Sequence, residues 1–237
     1  MPAPKDPAEP VSELRSIPIR ETHEPLVDFL EVCPELVWSA EHPVFDYERF
    51  RLARRGLVER LCRAAALLPR GVRLAVVEGY RAPAIQRAMH AATRERLRRA
   101  HPEWSPERLQ LETDRFSAPM DLEVPPPHTT GGAVDLHLVD RHGEMLDLTS
   151  PYSLLDPRGA PAEPPGLSVT AAANRRLLRE VLLEAGITNY PSEWWHWSYG
   201  DQGWAYRGGH PHALYGAVPP PGGDEEEPLF RVRQQVS

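Results

Sequence analysis

Cysteine is nearly missing from this chain. Its 237 residues carry two, Cys33 and Cys62, too few and too isolated for a disulfide framework or a cysteine-ligated zinc, so both read as buried thiols. Long apolar runs are missing as well: none approaches the roughly 20 residues that a membrane-spanning helix requires. The opening "MPAPKDPAEP" has neither the basic start nor the apolar segment of a secretory signal. A cytoplasmic protein with no membrane partner is the expectation. Basic charge is also short, 27 Lys and Arg against 34 Asp and Glu for a net charge of −7, which removes the attraction for phosphate backbones and argues against a nucleic-acid partner. HExxH is absent too, which excludes the helical zinc-protease motif.

What is present suffices for a proper core: 41% of the residues are hydrophobic, and the length suits one domain. Both ends are rich in Pro, Gly and charge, so residues 1–15 and 218–237 are expected to be flexible tails around a domain spanning 16–217. Residues 42–69 read as an amphipathic helix, with Leu57, Leu61, Ala64, Ala65 and Leu68 on one stripe. "VRLAVVEGYR", residues 72–81, reads as a buried strand that delivers Tyr80 and Arg81 to its C-terminal end, followed by a helix opening near Pro83. Residues 101–127 are polar and proline-bearing, a rigid loop into His128. In "AVDLHLVD", Val134, Leu136 and Leu138 alternate with Ala133, Asp135 and His137, the pattern of a half-buried strand. A helix with Leu177, Leu178, Val181 and Leu182 on its stripe ends at Gly186, and an aromatic segment, "NYPSEWWHWSYGD", follows. Helices and strands intersperse, which fits an α+β class.

The chemistry concentrates in "HTTGGAVDLHL" and "SEWWHW". Gly131 and Gly132 allow the loop to turn so that His128 meets Asp135 at the start of its strand. Zinc accepts nitrogen and carboxylate ligands, and a hydrolytic site needs three protein ligands with a position left for water. His196 is available as the third, and Glu193, three residues earlier, has the spacing to stand beside the metal without ligating it. Spacing alone leaves a second reading open, in which the first motif is a turn into a strand and the second an aromatic core strand with Trp194, Trp195 and Trp197.

"HTTGGAVD" followed by "EWWHW" resembles the paired motifs of the zinc D-alanyl-D-alanine dipeptidases, the VanX type of peptidase family M15. Residues 17–29, 58–69, 72–86 and 173–201 resemble that family's segments in order, so the likeness covers most of the chain between the tails. The resemblance implies a single domain with a central antiparallel sheet and flanking helices, like the hedgehog and D,D-peptidase fold. It implies one Zn2+ on His128, Asp135 and His196, Glu193 as catalytic base, and Arg81 as the cation near the scissile carbonyl. The guanidinium suits that task, being always protonated and rich in donors. Ser153, Tyr80 and Trp195 are the candidate substrate contacts.

Three departures from the family's pattern stand out. Pro126 occupies a position where the family has a serine, "YRAP" replaces "YRP", and Ser153 falls where the family's ammonium-binding aspartate belongs, leaving Asp147 or Asp156 to replace it. A desolvated ammonium without a carboxylate is costly. The expected activity is therefore hydrolysis of D-Ala-D-Ala or a related short D-amino-acid peptide. The alternatives are a D,D- or L,D-carboxypeptidase acting on muropeptides and a non-catalytic zinc-stabilised binding protein.

Overall fold

The computed structural model describes residues 9–39, 44–221 and 230–232. The N-terminal part runs α1 (Val11–Ser16), β1 (Leu26–Asp28), α2 (Phe29–Val32), β2 (Val37–Trp38), β3 (Phe45–Tyr47), β4 (Leu52–Arg54) and α3 (Arg55–Leu67). Then come β5 (Arg73–Glu78), α4 (Pro83–Ala100), α5 (Pro106–Phe116), β6 (Ala133–Val139) and α6 (Val169–Glu184). The chain closes with β7 (Thr188–Asn189), β8 (His196–Ser198), α7 (Gln202–Gly208) and β9 (Phe230–Val232). Short 3-10 turns cover Pro127–Thr130 and Pro157–Gly159.

Five strands form the central sheet in the order β2-β5-β6-β8-β7. Its β5-β6-β8-β7 portion is antiparallel as expected, but β2 lies parallel to β5. The sheet is therefore mixed rather than purely antiparallel, because the chain between those two strands passes through β3, β4 and α3, a crossover long enough to return it in the same direction. Val134, Leu136 and Leu138 are fully buried in the main core with Leu57, Leu61 and Ala64 of α3 and Leu178 and Leu182 of α6. Strand alternation then sends Asp135 to the opposite face.

The 42–69 helix is shorter than the apolar stripe indicated. Of that segment, residues 42–43 lie outside the described set, and β3 and β4 take 45–47 and 52–54 before α3 begins at Arg55. Aromatic Phe45 and Tyr47 are two apart, a strand period, and they pair with β9. The 101–127 loop is also corrected: Pro106–Phe116 is helical, with Ser105 accepting from the Arg108 N–H and Pro106 at the first position. Two elements fall within the expected tails. Helix α1 packs against α7, and β9 pairs with β3; residues 1–8, 222–229 and 233–237 of those expectations lie outside the described residues.

Candidate active site

The site is laid across three adjacent strands. A register shift between Val76 and Glu78 brings Glu78 of β5 opposite Asp135 of β6, and Asp135 pairs in turn with His196 of β8. Directly opposite residues on one face of an antiparallel pair have Cβ atoms about 5 Å apart. His128 reaches this row from the 3-10 turn Pro127–Thr130, which ends at Gly131 with φ +71. A side chain there would adopt a conformation that L-residues disfavour, and its Cβ would stand 2.4 Å from Leu26 Cδ2. Arg54 fixes the same turn, its backbone N–H donating to the Gly131 carbonyl (2.8 Å) and its Nε to the Thr130 carbonyl (2.8 Å).

Three atoms converge. His128 Nε2 lies 3.1 Å from His196 Nδ1 and 3.3 Å from Asp135 Oδ1, and His196 Nδ1 lies 3.0 Å from the same oxygen. Tetrahedral zinc with bonds of about 2.0–2.1 Å sets its ligand atoms about 3.3 Å apart, so the triangle has the dimensions of a zinc face. His128 Nδ1 donates to the Gly79 carbonyl at 2.8 Å, which turns Nε2 toward the other two. Among the described residues, these three form the one cluster of His, Cys, Asp and Glu with metal-holding geometry.

Electrostatics follow from burial. Desolvation alone would raise the Asp135 carboxyl, but the His128 and His196 rings outweigh it and hold the group well below the usual carboxylate range. Burial depresses the His128 imidazolium, and Asp135 reverses this, leaving the ring raised. Glu193 is half-buried. Desolvation, reinforced by Asp135 and opposed by His196 and Arg81, pushes its carboxyl up to about 7. Its backbone is fixed by a 3.0 Å bond from its N–H to the Tyr190 carbonyl and a 2.9 Å bond from Asn189 Nδ2 to its own carbonyl.

The strand expected over 72–81 ends earlier, at Glu78, and Arg81 lies three residues beyond it in the turn before α4, where its backbone N–H donates to the His128 carbonyl at 3.1 Å. Glu78 grips it at both oxygens, with Nε donating to Oε1 at 2.9 Å and Nη2 to Oε2, and Nη1 donates to Gln86 Oε1 at 2.6 Å. Burial opposes the guanidinium's charge, and Glu78 outweighs that penalty. Glu78, Gln86 and Tyr47, whose hydroxyl donates to Glu78 Oε1, escaped the sequence reading. The Glu-x-x-Arg spacing in "EGYR" was the available signal, since it placed a carboxylate one turn before the arginine.

The expected substrate contacts fare differently. Tyr80 is 1% exposed in a second apolar cluster with Ala82, Ile85 and Met89, its hydroxyl donating to the Val218 carbonyl at 2.9 Å. It is a core residue, since the turn after β5 directs it away from Arg81. Trp195 packs half-buried on the main core, edge-on to Trp194 with ring centroids 5.5 Å apart. Ser153 is exposed in a turn, its carbonyl accepting from the Asp156 N–H at 3.0 Å. Asp147 is spent on the Thr149 and Ser150 N–H groups and the Ser168 hydroxyl, and Asp156 on Arg158. Both carboxylates already hold local partners that a substrate ammonium would have to share.

A D-alanyl-D-alanine dipeptidase of Synechocystis is 34% identical over 111 residues, covering 40% of this chain and 45% of the relative. One from Escherichia coli is 35% identical over 77 residues, covering 32% and 39%. The matched stretches thus span less than half the length of these curated relatives. A solved structure of VanYB in complex with D-alanine-D-alanine shares 17% identity with a TM-score of 0.43, covering 72% of this chain and 87% of that one. The D-Ala-D-Ala dipeptidase family, peptidase M15, matches residues 45–213, a span that takes in β3 through α7 and every residue of the convergent triad, and the chain belongs to that family.

Proposed function

We propose that this protein is a zinc-dependent D-alanyl-D-alanine dipeptidase, with zinc held by His128 Nε2, Asp135 Oδ1 and His196 Nδ1. The observation that carries the reading is the convergence of those three atoms at 3.0–3.3 Å beside a carboxyl raised to about 7. Zinc, when bound, supplies Lewis acidity toward a peptide carbonyl and toward water. Glu193, whose raised affinity for a proton suits it to exchange one near neutrality, takes the proton of the attacking water and passes it to the leaving amine. Arg81 uses three of its five N–H groups on Glu78 and Gln86, and the other two are donors for the oxyanion of the tetrahedral intermediate. A non-catalytic zinc protein would need neither of these groups. Cys33 and Cys62, adjacent free thiols, suit a reducing, cytoplasmic setting. Among the described residues, no helix is long and apolar enough to cross a membrane.

A carboxypeptidase acting on longer muropeptides is the second reading, favoured by the local commitments of Asp147 and Asp156. The test is release of free D-alanine from D-Ala-D-Ala and, in parallel, from a muropeptide ending in D-alanine, each with and without chelator. Chelator-sensitive cleavage of the dipeptide is expected. Cleavage confined to the muropeptide would establish the second reading, and cleavage of neither would overturn both.

A further inference from the structure

The C-terminal segment returns to the site from beyond the family match, which ends at residue 213. The Val218 N–H donates to the Thr129 carbonyl at 2.9 Å, next to His128, while its own carbonyl accepts from the Tyr80 hydroxyl, next to Arg81. Further on, β9 pairs antiparallel with β3, with Tyr47 directly opposite Phe230. Phe230 lies 5.2 Å from the Phe45 ring and 6.0 Å from the Tyr47 ring, centroid to centroid, and both phenylalanines join the second apolar cluster.

Tyr47 is therefore held in one orientation by packing, and its hydroxyl donates to Glu78 Oε1, the same oxygen that accepts from Arg81 Nε. Glu78 is 1% exposed. A buried carboxylate holds its geometry when its lone pairs are satisfied from fixed directions, and a bidentate grip on a guanidinium transmits that geometry to the arginine. We propose that Tyr47, braced by the C-terminal strand Phe230–Val232, is a positioning residue that sets the Arg81 guanidinium, by its own contact with that side chain and through Glu78. Tyr47 touches no reacting atom, and its effect on turnover runs through Arg81, so the kinetic consequence rests on the dipeptidase reading above.

The full-length, zinc-loaded protein is assayed on D-Ala-D-Ala as wild type, Tyr47→Phe, Arg81→Ala and the double variant. Tyr47→Phe keeps the ring and removes only the hydroxyl, and kcat is expected to fall about 10-fold with KM and zinc content unchanged. In the Arg81→Ala background the same change is expected to cost nothing. An equal loss in both backgrounds, or no loss in either, would overturn the proposal. If Arg81→Ala itself leaves kcat intact, the oxyanion role fails and positioning is judged from a second measurement that needs no activity. That measurement is hydrogen exchange at Arg81 Nε by NMR. Tyr47→Phe and Phe230→Ala are both expected to accelerate it about 10-fold, and unchanged exchange in both would refute the coupling.

Discussion

Glu193 shows most clearly how much a single residue owes to its surroundings. In the chain it is one of 34 acidic residues; in the fold, burial pushes its carboxyl from the ordinary 4.5 up to about 7. The folded state therefore binds this proton more tightly than the unfolded chain does, and the contribution to stability falls as pH rises from about 4.5 to about 7. Replacing the carboxylate by its neutral isostere, Glu193→Gln, is expected to stabilise the metal-free protein at pH 8 by about 1–2 kcal/mol, a figure reduced for the group's partial exposure. At pH 4, where the carboxyl is protonated in both states, no difference is expected. Thermal scans of both proteins at the two pH values check this, and a variant less stable at pH 8 would refute the burial account. The same substitution is expected to abolish turnover while the three metal-facing atoms retain zinc, measured by metal analysis. His128, Asp135 and His196 were legible in the sequence as a motif pair, and the fold brings their atoms together, whereas the roles of Glu193 and Arg81 were implied by the family resemblance and belong to the proposal. Tyr80 is buried, because adjacency to Arg81 in the chain says nothing of direction; Glu78 had the Glu-x-x-Arg spacing as its signal, whereas Tyr47 had none, because its hydroxyl reaches Glu78 from a separate sheet.

At the scale of elements, periodicity was a good guide wherever one face is buried, and it failed where the signal was local. The alternation of Val134, Leu136 and Leu138 identified β6, and the Leu178 and Leu182 stripe identified α6, because both bury that face in one core. By contrast, α5 has a polar composition, and its evidence was the cap formed by Ser105 and Pro106. Strands β3 and β4 are three residues each, too short to show a period, and β3 finds its partner nearly the whole chain away in β9. The turn carrying His128 is an element too, and its glycine was legible with its reason. Gly131→Ala forces φ +71 on a residue with a Cβ and presses that atom to within 2.4 Å of Leu26. A destabilisation of about 1–3 kcal/mol is expected, together with weaker zinc binding, because the turn sets His128 against Asp135. Zinc titration of the variant with a competing chelator measures the second effect; unchanged affinity would mean that His128 is placed by Gly79 and Arg54 alone.

For the whole molecule, the position of the triad decides how far its influence reaches. Asp135 and His196 stand on β6 and β8, inner strands of the sheet, and the opposite faces of those strands carry Val134, Leu136 and Trp197 of the main core. The carboxylate and the two rings are brought within 3.3 Å of one another in the folded chain, whereas 68 residues separate His128 from His196 in the unfolded one, where no such site is preformed. A ligand that binds the folded state alone adds stability as RT ln(1 + [L]/Kd), about 4 kcal/mol at a thousand-fold excess over Kd. A domain of this size shifts by about 2–4 °C per kcal/mol, so removing zinc is expected to lower the melting temperature by roughly 8–16 °C. Because two of the proposed ligands belong to inner strands and the third, His128, to a turn buried against them, the loss is expected to appear as one cooperative transition moved to lower temperature, without an early partial melting. Calorimetry with and without chelator, repeated on His196→Ala, measures this. The variant is expected to show no chelator-dependent shift, and a full shift in His196→Ala would place the stabilising metal away from the convergence of His128, Asp135 and His196.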